Sequence, residues 1–130
     1  MGMYTELVLG VEIEPNSNVL NVLNYMLDNT DECGPHDDHE LFKTDRWEFM
    51  LNCGSYYFDG QPDSKLFNYD NREYYLNVRC NLKNYKSEIE KFLDWLQPYI
   101  NTYGFIGYKR YEEDDDPTLI YNEDGKIVYK

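Results

Sequence analysis

Histidine and cysteine are scarce in this sequence, and positive charge is in short supply. It holds 2 His, 3 Cys and 12 Lys plus Arg against 25 Asp plus Glu, a formal net charge of −13. Each shortage excludes something. A nucleic-acid binder needs cations to displace the counterions condensed on phosphates, and here the longest basic cluster is the pair Lys109-Arg110, followed at once by acid. The same field argues against anionic membrane surfaces, and no apolar run is long enough to span a bilayer. The cysteines, Cys33, Cys53 and Cys80, are odd in number and form no C-x-x-C pair, so a disulfide-stapled secreted domain is not expected. The start, Met1-Gly2-Met3-Tyr4, has neither a basic nor an apolar leader region. Reduced thiols and a cytoplasmic location are the expectation.

Reaction machinery is equally thin. There is no Walker loop and no G-x-G-x-x-G; Gly104-Phe105-Ile106-Gly107 has the wrong spacing and opens a strand pattern. A Ser–His–acid or Cys–His arrangement would have to draw on one of two histidines that share a single acidic loop.

What is present suits one globular domain spanning residues 1–130. Hydrophobic residues make up 42% and aromatics 17%, with 14 Tyr against 6 Phe and 2 Trp, enough to build a core at a typical domain size. Residues 4–13 alternate, with Leu7, Leu9, Val11 and Ile13 on one side, the period of a half-buried strand. Pro15 ends it, Asn16 or Ser17 can cap, and Val19, Leu20, Leu23, Met26 and Leu27 recur at helical steps over roughly 17–29. Residues 28–45 read as an acidic loop broken by Gly34-Pro35, with few core residues. Trp47, Phe49, Leu51 and Cys53 share a face in a strand-like run from Arg46, resumed by Ser55–Phe58 after Gly54. A turn at 59–63, a short strand at Lys65–Tyr69 and a turn at Asp70-Asn71 follow.

Residues 73–82 form the clearest strand: Tyr74, Leu76, Val78, Cys80 and Leu82 inward, Glu73, Tyr75, Asn77, Arg79 and Asn81 outward. Asn84 is the expected cap of a second helix through Ile89, Phe92, Leu93, Leu96 and Ile100, which Pro98 should kink or end. A strand over 105–111, an acidic loop Glu112–Asp116, and a hairpin about Asp124-Gly125 complete the chain. Strands interleaved with two helices predict an α+β fold, a two-layer sandwich: a mainly antiparallel sheet with both helices on one face, a ferredoxin-like core plus a C-terminal β-hairpin. The opposite sheet face would carry Tyr4, Tyr75 and Tyr108, whose rings pack while their hydroxyls stay wet.

Three groups of residues carry candidate chemistry. Cys33, His36 and His39 are metal-ligand types within one short loop that also holds Asp37, Asp38 and Glu40, suited to Zn²⁺ or another divalent ion. No second ligand cluster is visible to close a structural site, and a solvated acidic loop is the plainer reading. Glu112, Glu113, Asp114, Asp115 and Asp116 lack the alternating ligands and central Gly of a calcium loop, and read instead as a solvated loop or a contact for a basic partner. Tyr108 and Tyr111 flank that run and add ring area of the kind interfaces enrich.

The segments Arg46-Trp47-Glu48-Phe49-Met50-Leu51, Gly54-Ser55-Tyr56-Tyr57-Phe58 and Gly107-Tyr108-Lys109-Arg110-Tyr111-Glu112-Glu113 resemble, in style, small acidic proteins of bacteria and their phages. That resemblance carries no catalytic motif and implies an accessory role. The expectation is therefore a non-enzymatic acidic protein docking on a basic protein surface, inhibiting it or mimicking nucleic acid, through Tyr108, Tyr111 and Glu112–Asp116. One alternative is a metal- or small-molecule-dependent enzyme built on the Cys33/His36/His39 loop. Another is a homo-oligomeric accessory protein whose tyrosines bury one another.

Overall fold

The computed structural model describes residues 3–130. Six strands, β1 (Thr5–Ile13), β2 (Lys65–Tyr69), β3 (Glu73–Leu82), β4 (Gly104–Tyr111), β5 (Thr118–Glu123) and β6 (Lys126–Tyr129), form one sheet in the order β2-β3-β1-β4-β5-β6. Every adjacent pair is antiparallel. Helix α1 (Ser17–Met26) links β1 to β2 and α2 (Glu88–Leu96) links β3 to β4. This is the α+β architecture expected from the sequence, and the order β2-β3-β1-β4 with both crossovers helical is compatible with a ferredoxin-like core. The hairpin β5-β6 extends it, turning at Asp124 and Gly125, both left-handed (φ 52° and 74°), as a tight hairpin turn demands.

The two strands with strict apolar alternation, β1 and β3, lie side by side inside the sheet. Leu7, Leu9, Val11 and Ile13 of β1 are buried with Leu76, Val78, Cys80 and Leu82 of β3, and the helices supply Val19, Val22, Leu23, Ile89, Phe92 and Leu96 to the same core. Antiparallel partners share a face, so the register Leu7↔Cys80 and Leu9↔Val78 fixes one sheet face under the helices. Beyond Leu9, the free edge of β1 is met by the segment after α2: Asn101 N donates to the Glu12 carbonyl at 2.8 Å and Glu12 N to Thr102 Oγ1 at 2.8 Å.

Helix ends follow local chemistry. Asn16 Oδ1 accepts from Asn18 N and Val19 N at 3.1 and 3.2 Å. Helix α1 stops at Met26, short of residue 29, and Asp28 is left-handed (φ 64°). The N-cap of α2 is Ser87 rather than the expected Asn84, whose side chain nevertheless reaches the first turn, its Oδ1 accepting from Ile89 N at 2.9 Å. Pro98 lies in a 3₁₀ turn, Gln97–Tyr99, that ends the regular helix.

One expectation is overturned. Residues 46–58 contain no strand. Met50–Asn52 is a single 3₁₀ turn, and this segment lies beside the helices with Trp47, Met50 and Leu51 buried while Phe49 is half exposed. Its short alternation is a weak signal, because any segment with apolar residues two apart can fill a gap beside helices without pairing. The loop before it also contributes a core residue, the fully buried Leu41 in the 3₁₀ turn Glu40–Lys43. Residues 53–63 then cover the end of β3 that β2 does not reach. Asn81 N donates to the Cys53 carbonyl at 2.9 Å and Asp63 N to the Arg79 carbonyl at 2.8 Å, and Phe58 is buried beneath Arg110, whose guanidinium lies 5.1 Å from its ring centre.

Candidate functional site on the open sheet face

Residues that alternate with the core face of β1 and β3 point away from the helices. The registers Glu6↔Asn81, Val8↔Arg79, Gly10↔Asn77 and Glu12↔Tyr75, with Glu6↔Arg110 and Val8↔Tyr108, assemble the second face. It has three parts. At one end the 53–63 loop closes over the Glu6–Arg110 ion pair (3.4 Å), and Tyr57 lies against Tyr4 (ring centres 5.7 Å apart). Across β4 and β5, Phe105 and Tyr121 meet edge to face at 5.6 Å, with Lys130 Nζ 4.4 Å from the Tyr121 ring centre.

The third part is the β2-β3 hairpin. Its register sets Phe67 opposite Tyr75 and Tyr69 opposite Glu73. Tyr69 and Tyr75 meet edge to face, centres 5.7 Å apart and planes at 72°. With Phe67, Glu73 and Asn77 they line a shallow, solvent-open depression of about 510 Å³. Phe67 is 38% and Tyr69 55% exposed, too much ring surface for a cluster that serves packing alone. The Tyr75 hydroxyl donates to Glu73 Oε2 at 3.2 Å. That bond, followed by partial burial and the charges of Glu73 and Glu12, pushes the Tyr75 hydroxyl pKa up, so the ring stays neutral and the local field is set by carboxylates.

The residues expected from the sequence to bind a partner are not gathered in one place. Tyr108 is half-buried on the open face, opposite Val8. Tyr111 pairs with Thr5 and so lies on the helix side, because an odd spacing along a strand reverses the face. Glu112 is tied into the fold, its backbone N donating to the Tyr4 carbonyl at 3.0 Å and its carboxylate accepting from Tyr4 N. Glu113, Asp114, Asp115 and Asp116 are exposed in the loop between β4 and β5. The Phe67/Tyr69/Glu73 cluster was missed as a site. The signal for it was the strand reading of 65–69 and 73–82 together with the turn at Asp70-Asn71, which obliges their outward rings to meet.

The residues expected to hold a metal are occupied with one another's surroundings. His39 Nδ1 accepts from Leu41 N at 3.0 Å, capping the 3₁₀ turn, and its Nε2 donates to Asp94 Oδ2 at 2.8 Å. Both ring nitrogens are therefore committed. His36 stacks on Phe42 at 4.1 Å, edge-on to Trp47 at 5.7 Å, and lines a cleft of about 360 Å³ with Asn16, Val19, Trp95 and Tyr99. Cys33 is half-buried, and burial followed by the Glu48 charge pushes its thiol pKa up. Among the described residues no three His, Cys, Asp or Glu side chains converge to hold a metal ion. Burial also pushes up Cys53 and, more strongly, the wholly enclosed Cys80, so all three thiols stay protonated at neutral pH, the unreactive form. No helix among the described residues is long and apolar enough to cross a membrane.

Comparison with known proteins gives no match: no family model, no curated protein and no solved structure matches this chain.

Proposed function

We propose that this chain is a non-enzymatic binding protein that docks on a basic protein partner, with the open face of its sheet as the docking surface. The observation that carries this reading is the β2-β3 end of that face, where the exposed rings of Phe67 and Tyr69 and the half-buried ring of Tyr75 stand beside carboxylates. Burying such rings supplies contact area at low entropy cost. The net charge of −13 supplies the long-range attraction that speeds encounter with a cationic surface and repels acidic ones. Six of the 12 cations, Lys43, Arg46, Lys65, Lys109, Arg110 and Lys130, are already paired with carboxylates of this chain, which leaves six to oppose a partner's. The protonated thiols and the doubly bonded His39 support a binding role over nucleophilic catalysis.

The test is anisotropy of fluorescein-labelled decalysine added to the native chain. Binding should weaken more than about tenfold when the ionic strength rises from about 0.05 to 0.5 M, because screening shortens the reach of exposed charges. Replacing Glu113, Asp114, Asp115 and Asp116 together by Ser should slow association more than it speeds dissociation, since these residues steer from the rim. Binding that ignores salt, or no binding at low salt, would overturn the reading.

A further inference from the structure

Among the described residues, five rings carry one of this chain's own cations. Lys109 lies 4.6 Å from the centre of Tyr129, Lys130 4.4 Å from Tyr121, Arg110 5.1 Å from Phe58, Arg46 5.8 Å from Tyr85 and Lys83 5.9 Å from Tyr4. The Phe67/Tyr69/Tyr75 cluster is different. It gathers three rings and a carboxylate in one depression, yet none of the cation–ring contacts among the described residues falls on it. Lys65, which shares its face two residues from Phe67, is drawn aside to Asp63 (3.6 Å).

We propose that this depression is an aromatic cage for one alkylammonium group, the head of a lysine side chain on the basic partner, with Phe67, Tyr69 and Tyr75 as walls and Glu73 as counter-charge. This deepens the docking reading above and rests on it. Ring faces attract cations through their quadrupoles, and grouped rings are the established means of binding ammonium heads. Two rings set at 72° make a corner rather than a slot. A compact tetrahedral head fits the corner of Tyr69 and Tyr75, with Phe67 lining the same depression, whereas a planar guanidinium stacks on a single face. The sign of the ligand follows from the neighbours: Glu73 lines the depression and Glu12 stands opposite Tyr75 on β1, so an anion is repelled. Access follows from topology, since β2 is an outer strand of the sheet and a long lysine stem can enter from the side.

The test uses choline chloride as probe, titrated into the isotope-labelled native chain at constant ionic strength and followed by NMR. Saturable shifts should appear at the Phe67, Tyr69 and Tyr75 ring protons, and the uncharged carbon isostere dimethylbutanol should not reproduce them. Phe67→Ala and Tyr75→Ala should each weaken binding about two- to fivefold, the worth of one exposed cation–ring contact. Tyr75→Phe keeps the ring and should bind like the native chain, which guards against a folding artefact. Tyr121→Ala, at the far side of the sheet, should change nothing. Absent shifts, equal shifts from dimethylbutanol, or unchanged affinity in Tyr75→Ala would overturn the cage. The decalysine arm separates the two readings. Salt-sensitive decalysine binding that Tyr75→Ala and Glu73→Gln leave intact overturns the cage alone. Choline seated on the rings of a chain that ignores decalysine overturns the docking reading and, with it, a partner's lysine as the occupant, and leaves the depression a site for a small alkylammonium ligand.

Discussion

Glu88→Ala should cost about 2–3 kcal/mol of stability, far more than loss of a surface ion pair. The Glu88 side chain has no solvent exposure, and its Oε2 lies 3.2 Å from Arg46 Nη1, whose side chain is 27% exposed. Its Oε1 accepts from Lys86 N at 2.9 Å. Removing one partner of a fully buried pair costs about 3–5 kcal/mol, because the survivor is stranded without solvent. Arg46 keeps some water and the nearby Tyr85 ring, which lowers the figure to about 2–3 kcal/mol, or about 6–12 °C in Tm for a domain of this size. The pair ties the irregular 46–52 segment to the first turn of α2. Urea unfolding followed by tryptophan fluorescence reports on both sides of it, since Trp47 adjoins Arg46 and Trp95 lies in α2. Replacing both partners by apolar residues, Arg46→Met with Glu88→Leu, should recover most of the loss, since no charge is then stranded. A cost below about 1 kcal/mol, typical of exposed pairs, or a double variant as unstable as Glu88→Ala, would refute the reasoning.

Two further outcomes are expected. A Cβ on Gly107 would lie 2.0 Å from the Val8 carbonyl oxygen and 3.0 Å from Leu9 Cα, both backbone of the central strand, so Gly107→Ala should cost about 2–3 kcal/mol or more through forced strand displacement. Gly10→Ala, whose Cβ meets only Asn77 Oδ1 at 3.7 Å, should be neutral or stabilising by about 0.5 kcal/mol; equal costs at the two positions would disprove the contrast. Burial by itself would raise the Glu90 pKa, but hydrogen bonds from Lys109 and Asn84 and the Lys109 charge outweigh it and hold the carboxyl below its usual range. A depressed carboxyl stabilises the fold above its unfolded pKa, and that contribution fades as pH falls through the folded value. Glu90→Gln should therefore lower Tm at pH 7 and lose its deficit on acidification below about pH 4; a gap unchanged by pH would contradict the assignment.

Much of the fold was legible because its strands announce themselves by period. The face assignments for 4–13 and 73–82 hold residue by residue, since a strand buried on one side must alternate and a slip by one residue would bury Glu12 in place of Ile13. Asn16, Pro98 and Asp124-Gly125 act where expected because capping and turn chemistry are local, whereas the cap of α2 falls at Ser87, three residues past Asn84. The 46–58 segment was misread for the complementary reason. Its neighbours in space are α1, α2 and the end of β3, none of which the local pattern encodes. The candidate site divides in the same way: Tyr75 and Tyr108 were placed correctly on the uncovered face, while Tyr111 fell on the other side by strand parity.

By itself the sequence determined the charge, the alternation and the turns, and hence an antiparallel sheet with one covered face and tyrosines on the other. Each of these is a property of residues within a few positions of one another. Tertiary structure decided what those residues meet. It set Phe67 and Tyr69 against Tyr75 and Glu73 at an outer edge, brought Asp94 of α2 to the His39 ring, and, among the described residues, left the rings beside Glu73 without a cation of their own. Pairings of that kind depend on which strands become neighbours, and that is settled by burial over the whole chain rather than by any single stretch of it.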